Sequence, residues 1–183
     1  NYLLSLQKIR EKLNIIRGLA MEKLIIVLVS IGLVILDNSL VPFFSIKGVY
    51  PSLLFVFVIA YSLVNSKERS IFVGVISGVL QDVFFFNGFG VNSLLNLLLC
   101  LLASFIGSGI IKSKRLIPVV SMFFITVVKY IAVFAIFYLL DLKIDVSRSI
   151  IMAIYNAVIM FFLYKFVLNI YDDEYSKQRW RFK

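Results

Sequence analysis

The stretch that decides the fold class is LIPVVSMFFITVVKYIAVFAIFYLL, residues 116–140, in which Lys129 is the one charged residue. A helix needs about 20 predominantly apolar residues to cross the hydrocarbon core of a bilayer. Because no water in that core can satisfy exposed backbone groups, a spanning segment of this kind forms an α-helix. Residues 116–140 therefore predict an all-α integral membrane protein.

Further apolar segments lie on both sides of this stretch. They cover residues 24–44, 50–65, 70–86, 91–111 and 148–168. With 61% hydrophobic residues, 16% charged residues and a mean hydropathy of +0.99, the chain has too little polar sequence for a soluble domain. We expect about six transmembrane helices. The second and third are short, so each either spans with its ends shielded by neighbouring helices or forms a re-entrant segment.

Lysine and arginine residues are distributed unevenly between the two sides of the predicted bundle. Most of the 19 lie before the first span, after the second, after the fourth or after the last, whereas Lys47, Lys143 and Arg148 lie on the opposite side. Cytoplasmic loops carry the excess of basic residues, so both termini are predicted to be cytoplasmic. The net charge of +9 is thus assigned to orientation and to anionic lipid. Short basic clusters between apolar runs do not favour a nucleic-acid interface.

The two ends of the chain are expected to differ from its centre. Residues 1–20 form a basic segment with apolar residues at helical spacing, which suits a helix lying on the inner membrane surface. Alternatively, Met21 is the natural start and residues 1–20 lie upstream of it. Residues 21–170 are predicted to be the six-helix transmembrane domain. Residues 171–183 are predicted to be a cytoplasmic tail, either simply solvated or a docking peptide for a partner.

Cysteine and histidine usage excludes several kinds of chemistry within this sequence. Cys100 is the single cysteine and histidine is absent, so an intrachain disulfide, a zinc site of Cys and His ligands and a Ser-His-Asp relay are all excluded. Cys100 lies in an apolar run and is expected to act as a small hydrophobic side chain. The sequence also has no nucleotide-binding loop and no catalytic dyad, so we expect no metal site and no cofactor.

Asp37, Asp82 and Lys129 are charged residues inside predicted spans. Each follows a cytoplasmic basic residue by 13 or 14 positions, which places all three at about 20 Å from that membrane edge. Because a lone charge at such depth is costly, we expect these side chains to face the bundle interior, with Lys129 paired to Asp82 or Asp37. The functional interpretation is a binding cavity or coupling site. The alternatives are a structural ion pair and an Asp37 that reaches interfacial water.

Small and polar residues form matching stripes on the third and fourth predicted spans. Gly74, Gly78 and Asp82 recur every four residues on the third, and Asn92 and Asn96 begin a similar stripe on the fourth. Small residues let helix backbones approach closely in lipid. We expect a helical hairpin packed through these faces. The same residues could instead form a partner interface or line a substrate groove.

A family resemblance is carried by the segment between residues 50 and 111. It contains Tyr50-Pro51-Ser52-Leu53-Leu54, a basic turn, a glycine-rich helix that reads Gly78-x-x-x-Asp82, and then Gly90-x-Asn92-x-Leu94. This pattern resembles the rod shape-determining protein MreD family. Length, six-span hydropathy and internal termini agree with that family over residues 21–183. Ser52 departs from the pattern, since many relatives carry an acidic residue after the proline.

The resemblance implies a non-enzymatic scaffold of the bacterial cell-elongation (rod) complex in the inner membrane. Such a protein would regulate cell shape and lateral peptidoglycan synthesis together with MreC. Its further partners would be RodA, the partner transpeptidase of RodA, and MreB, directly or indirectly. The resemblance also implies a fold similar to the substrate-binding subunits of energy-coupling-factor transporters.

Two other classes of function remain as alternatives. A substrate-binding subunit of an energy-coupling-factor-type vitamin transporter would share the helix count, the small-residue faces and the buried charges. A lipid-modifying enzyme is less favoured, because Asp37, Asp82 and Lys129 are a thin set for a catalytic site.

Overall fold

The computed structural model describes residues 2–46, 48–85, 90–109, 116–139 and 149–171, and these residues form six α-helices. The helices are α1 (Tyr2–Ser39), α2 (Leu53–Val64), α3 (Lys67–Phe85), α4 (Val91–Ser108), α5 (Leu116–Leu139) and α6 (Ser149–Tyr171). Each corresponds to one of the six apolar segments predicted from the sequence. The basic turn around residues 112–115 and the tail after residue 171 lie outside the described residues.

Four of the helical segments are long and apolar enough to cross a membrane. They are Arg17–Ser39, Val91–Ser108, Leu116–Leu139 and Ser149–Ile170. Helix α2 has 12 residues and therefore extends for about 18 Å, less than the roughly 30 Å of a hydrocarbon core. Helix α3 has 19 residues but begins with three charged side chains in its first three positions, Lys67, Glu68 and Arg69. Of the six α-helices in the described residues, four are thus long and apolar enough to span a membrane.

Helix α2 lies at the centre of the molecule. Every residue from Leu54 to Val64 is buried, because α1, α3, α4, α5 and α6 all pack against this helix. A helix that is apolar on all sides is buried either in lipid or among other elements. Here neighbouring helices shield α2 along its length, which makes a short apolar helix tolerable inside the bundle.

Glycine residues set the spacing between the helices around this centre. A Cβ atom at Gly78 of α3 would lie 2.3 Å from Ser93 Cα of α4, and one at Gly107 of α4 would lie 2.0 Å from the carbonyl oxygen of Leu63 in α2. A Cβ at Gly74 would lie 2.9 Å from the carbonyl oxygen of Asn96. Backbones can approach this closely only where a side chain is absent. Helices α3 and α4 form the hairpin predicted from their small-residue faces.

The first predicted span, residues 24–44, is divided in the structure. Helix α1 ends at Ser39, and a short 3₁₀ helix follows at Val41–Phe44, with Pro42 near its start. Proline has no backbone N–H to donate and breaks or kinks an α-helix when it lies in the interior of one. Towards the N-terminus, α1 continues without interruption to Tyr2, so the segment before residue 20 is helical and directly continuous with the span.

The two ends of the bundle differ in their polar contacts. At one end, Arg69 of α3 forms an ion pair with Glu22 of α1 at 3.1 Å, and the Tyr61 hydroxyl donates to Glu22 at 2.8 Å. The start of α1's span and the start of α3 therefore lie at the same end, as the predicted topology requires. At the other end, α1 finishes beside the start of α2, and α3 finishes beside the start of α4.

Candidate functional site

The carboxylate of Asp37 caps the first turn of α2. Its Oδ1 accepts a hydrogen bond from the Leu53 N–H at 2.7 Å, and its Oδ2 accepts from the Leu54 N–H at 3.1 Å and the Ser52 hydroxyl at 3.0 Å. The first N–H groups of a helix have no partner within it, and their dipoles favour a negative charge. Asp37 is only 1% exposed, and the N-terminus of α2 compensates the charge of this buried carboxylate.

Asp82 makes the equivalent contact at the first turn of α4. Its Oδ2 accepts from the Gly90 N–H at 3.0 Å, the Ser93 N–H at 2.9 Å and the Ser93 hydroxyl at 2.6 Å, and its Oδ1 accepts from the Asn92 N–H at 2.9 Å. A Ser-Leu-Leu sequence lies at each helix start: Ser52 directly precedes α2, and Ser93 is the third residue of α4. In both places a carboxylate near the end of one helix caps the start of the next.

Lys129 is held differently from the sequence expectation. Its Nζ donates to Asn96 Oδ1 at 2.8 Å and to Gln81 Oε1 at 3.0 Å, and lies 4.0 Å from the centre of the Phe55 ring. Among the described residues, no carboxylate oxygen lies within 4.0 Å of this nitrogen. The expected ion pair of Lys129 with Asp82 or Asp37 is not formed, because both carboxylates already serve helix N-termini.

Amide and hydroxyl side chains connect these groups across four helices. Asn96 Nδ2 donates to Ser77 Oγ at 3.2 Å and to Gln81 Oε1 at 3.0 Å, while Gln81 Nε2 reaches Ser52 Oγ at 3.3 Å. Asn156 of α6 accepts from the Ser52 N–H at 3.1 Å. Sequence reasoning missed Asn156, although an amide inside the apolar run 148–168 is a signal that could have identified it.

A cavity of about 360 Å³ lies beside this network. Asp37, Gln81, Asn92, Lys129 and Asn156 contribute polar groups to its wall. Apolar and aromatic side chains complete it, among them Phe55, Tyr130, Val133, Phe137 and Met152. The described wall of the cavity therefore contains one lysine, one carboxylate that caps a helix, and several amides, among mostly apolar side chains.

The predicted site residues separate into two groups in space. Asp37, Asn92 and Lys129 line the cavity, and Asn96 reaches it through its hydrogen bond to Lys129. Gly74, Gly78 and Asp82 instead lie at the contact between α3 and α4. The cavity supplies hydrogen-bond donors and acceptors but, over the described ranges, no group of three potential metal ligands.

Cys100, which the sequence predicts to act as a small hydrophobic side chain, is fully buried in the core against α2. Its Sγ lies 3.9 Å from the carbonyl oxygen of Val58. The thiol has the environment of a small apolar side chain and lies outside the cavity wall.

Comparison with known proteins identified one family. The family model described as rod shape-determining protein MreD matches residues 20–172. No curated protein and no solved structure matches the chain. The matched range contains α2 to α6 in full and residues 20–39 of α1.

Proposed function

Because the chain belongs to the rod shape-determining protein MreD family, we propose that it is a non-enzymatic membrane scaffold of the bacterial cell-elongation complex. In this role it acts with MreC to regulate cell shape and lateral peptidoglycan synthesis. The observation that carries the proposal is the family match over residues 20–172, and a role in rod shape determination follows from membership itself. The more specific assignment as a scaffold is supported by the polar and glycine-bearing helix faces, which contact one another within the chain.

The polar and glycine-bearing helix faces are occupied within the chain. Gly74 and Gly78 meet the backbone of α4, and Asp82 is occupied by four donors at the start of that helix. A partner helix cannot use this stripe without separating α3 from α4. The outward faces carry large apolar side chains, for example Leu28 and Ile35 on α1 and Phe124 and Val128 on α5. We therefore place partner contacts on such lipid-facing surfaces, where shape and packing drive helix association.

Localisation and partners complete the proposal. The protein is a multi-pass component of the bacterial inner membrane with both termini in the cytoplasm, and its partners are MreC, RodA, the transpeptidase of RodA, and MreB directly or indirectly. The ion pair between Glu22 and Arg69 supports this topology, since it brings two segments predicted to be cytoplasmic to one end of the bundle. A reporter fused after Lys183 should be active in the cytoplasm. Activity of that reporter outside the cell would contradict the topology.

Affinity capture from bacterial membranes in mild detergent tests the partner assignment. The tagged protein should recover MreC, and a tagged multi-pass protein of unrelated function, expressed at the same level, should not. Absence of MreC from captures that retain the folded bait would reject this partnership.

Depletion in a rod-shaped host tests the cellular role. Cells should become round, and expression of the intact chain should restore rods. An Asp82→Asn variant that folds should also restore them, because a scaffold needs no catalytic carboxylate at that position. Rods that persist on depletion while vitamin uptake fails would instead support a transporter subunit.

A further inference from the structure

Lys129 is a buried basic side chain that forms no ion pair with a carboxylate of the described residues. It is 7% exposed, and its hydrogen-bond acceptors, the side-chain oxygens of Gln81 and Asn96, are both neutral. The face of the Phe55 ring adds a third favourable contact. Charged side chains inside a membrane domain are costly and normally pair with a group of opposite charge. Among the described residues, the direct contacts of Lys129 are therefore neutral, and Asp82 and Asp37 act on it only from beyond ion-pair distance.

Asp37 lies on the same cavity wall but forms no ion pair with Lys129. Both of its oxygens accept hydrogen bonds from Ser52, Leu53 and Leu54 at the start of α2. The partial positive charge of this helix N-terminus offsets the carboxylate locally. Of the two charged side chains on the described part of the wall, Lys129 is thus the one that no helix terminus engages.

The cavity has the size and lining of a small-molecule site. Its volume of about 360 Å³ falls near the lower end of the range for ligand pockets, roughly 300–1,000 Å³. Tyr50 and Asn92 add a hydroxyl and an amide to the wall, while Val133 and Phe137 offer apolar surface. A wall that combines a lysine with apolar side chains suits a ligand with an acidic group on a small apolar body.

We propose that this cavity binds the phosphate or carboxylate group of a small anionic molecule, with Lys129 as the recognising cation. The acidic group approaches the ammonium of Lys129, and the apolar part of the ligand contacts Val133 and Phe137. The site is separate from the α3–α4 contact and from the lipid-facing surfaces assigned to partners. The proposed binding site therefore does not depend on the scaffold role. The ligand comes either from lipid headgroups or from a soluble anion, which share this chemistry.

Calorimetric titration of the purified full chain in a neutral detergent tests the site directly. The probes are inorganic phosphate, hexanoate and short-chain dihexanoyl phosphatidic acid, with dihexanoylglycerol as the uncharged control. Saturable binding of phosphate or hexanoate identifies a soluble anion as the ligand class. Binding confined to phosphatidic acid identifies a lipid headgroup. Absence of binding by all three acids, or equal binding of dihexanoylglycerol and phosphatidic acid, would overturn the proposal.

Two variants and a matched control assign the binding to Lys129. Lys129→Met removes the charge but keeps an unbranched side chain, and affinity for the bound probe should fall by about tenfold or more. Lys165→Met removes an exposed lysine of α6 and should leave affinity unchanged. Val133→Phe narrows the cavity with Lys129 in place and should also weaken binding. Unchanged affinity in folded Lys129→Met protein contradicts the proposal, and if neither variant folds, the wild-type titrations decide.

Discussion

Asp37 of α1 accepts a hydrogen bond of 2.7 Å from the backbone N–H of Leu53, the first residue of α2. This contact joins the end of a peripheral helix to the start of the central one, across a connection that includes the 3₁₀ helix Val41–Phe44. Asp82 and the start of α4 repeat the arrangement. Two carboxylates predicted to pair with a lysine are instead the caps that position two successive helices.

Replacing Asp37 with alanine should destabilise the protein. The N–H groups of Leu53 and Leu54 would lose their acceptor in a buried environment, at a cost of about 2–3 kcal/mol in the free energy of unfolding. Ser39→Ala is the matched control, because Ser39 is exposed and bonds within its own helix. Unfolding in mixed micelles measures both. Equal stability of the two variants would show that the cap contributes nothing.

A larger side chain at Gly78 should separate α3 from α4. The new Cβ would lie 2.3 Å from Ser93 Cα, so Gly78→Leu should lower the free energy of unfolding by about 2–4 kcal/mol. Gly32→Ala is a suitable control, since a Cβ at Gly32 meets nothing within 4 Å, and it should change stability by no more than about 1 kcal/mol. Thermal denaturation in detergent compares the two. A Gly78→Leu protein as stable as wild type would contradict the close approach.

The ion pair between Glu22 and Arg69 should contribute little to stability. The side chains are 23% and 32% exposed, respectively, and such pairs usually contribute less than about 1 kcal/mol. A double-mutant cycle with Glu22→Ala and Arg69→Ala should give a coupling energy in that range, which decreases as salt is added. A coupling energy well above it and independent of salt would indicate a pair shielded from solvent.

Cys100 should be unreactive while the protein is folded. Its side chain is fully buried between α4 and α2, so maleimide cannot reach the thiol without local opening. Mass spectrometry should detect labelling after denaturation in SDS and none before it. In a Cys100→Ala background, Ser108→Cys places a thiol at an exposed position at the end of the same helix and should label without denaturant. Rapid labelling of Cys100 in native protein would mean that α2 is accessible.

Sequence patterns predicted the helices and the α3–α4 hairpin well. Long apolar runs marked α4, α5 and α6, and the four-residue spacing of Gly74, Gly78 and Asp82 marked the face through which α3 packs. The prediction that Lys129 pairs with Asp82 or Asp37 was wrong. Both carboxylates lie at a similar membrane depth to Lys129 in the sequence pattern, but that pattern does not reveal that each one accepts hydrogen bonds from a helix N-terminus. The lysine's acceptors, Gln81 and Asn96, are neutral side chains with no charge pattern to reveal them.

Hydropathy, small-residue spacing and the position of proline are local properties of the chain, so the sequence by itself determined a helical membrane protein and the family to which it belongs. The cavity and the partner of each buried charge depend on contacts between residues far apart in sequence. Ser52 and Asn156 are separated by 104 positions, and Lys129 and Gln81 by 48. Only the packing of five helices around α2 decided these contacts, because a buried polar group bonds to whichever partner the tertiary structure brings within reach.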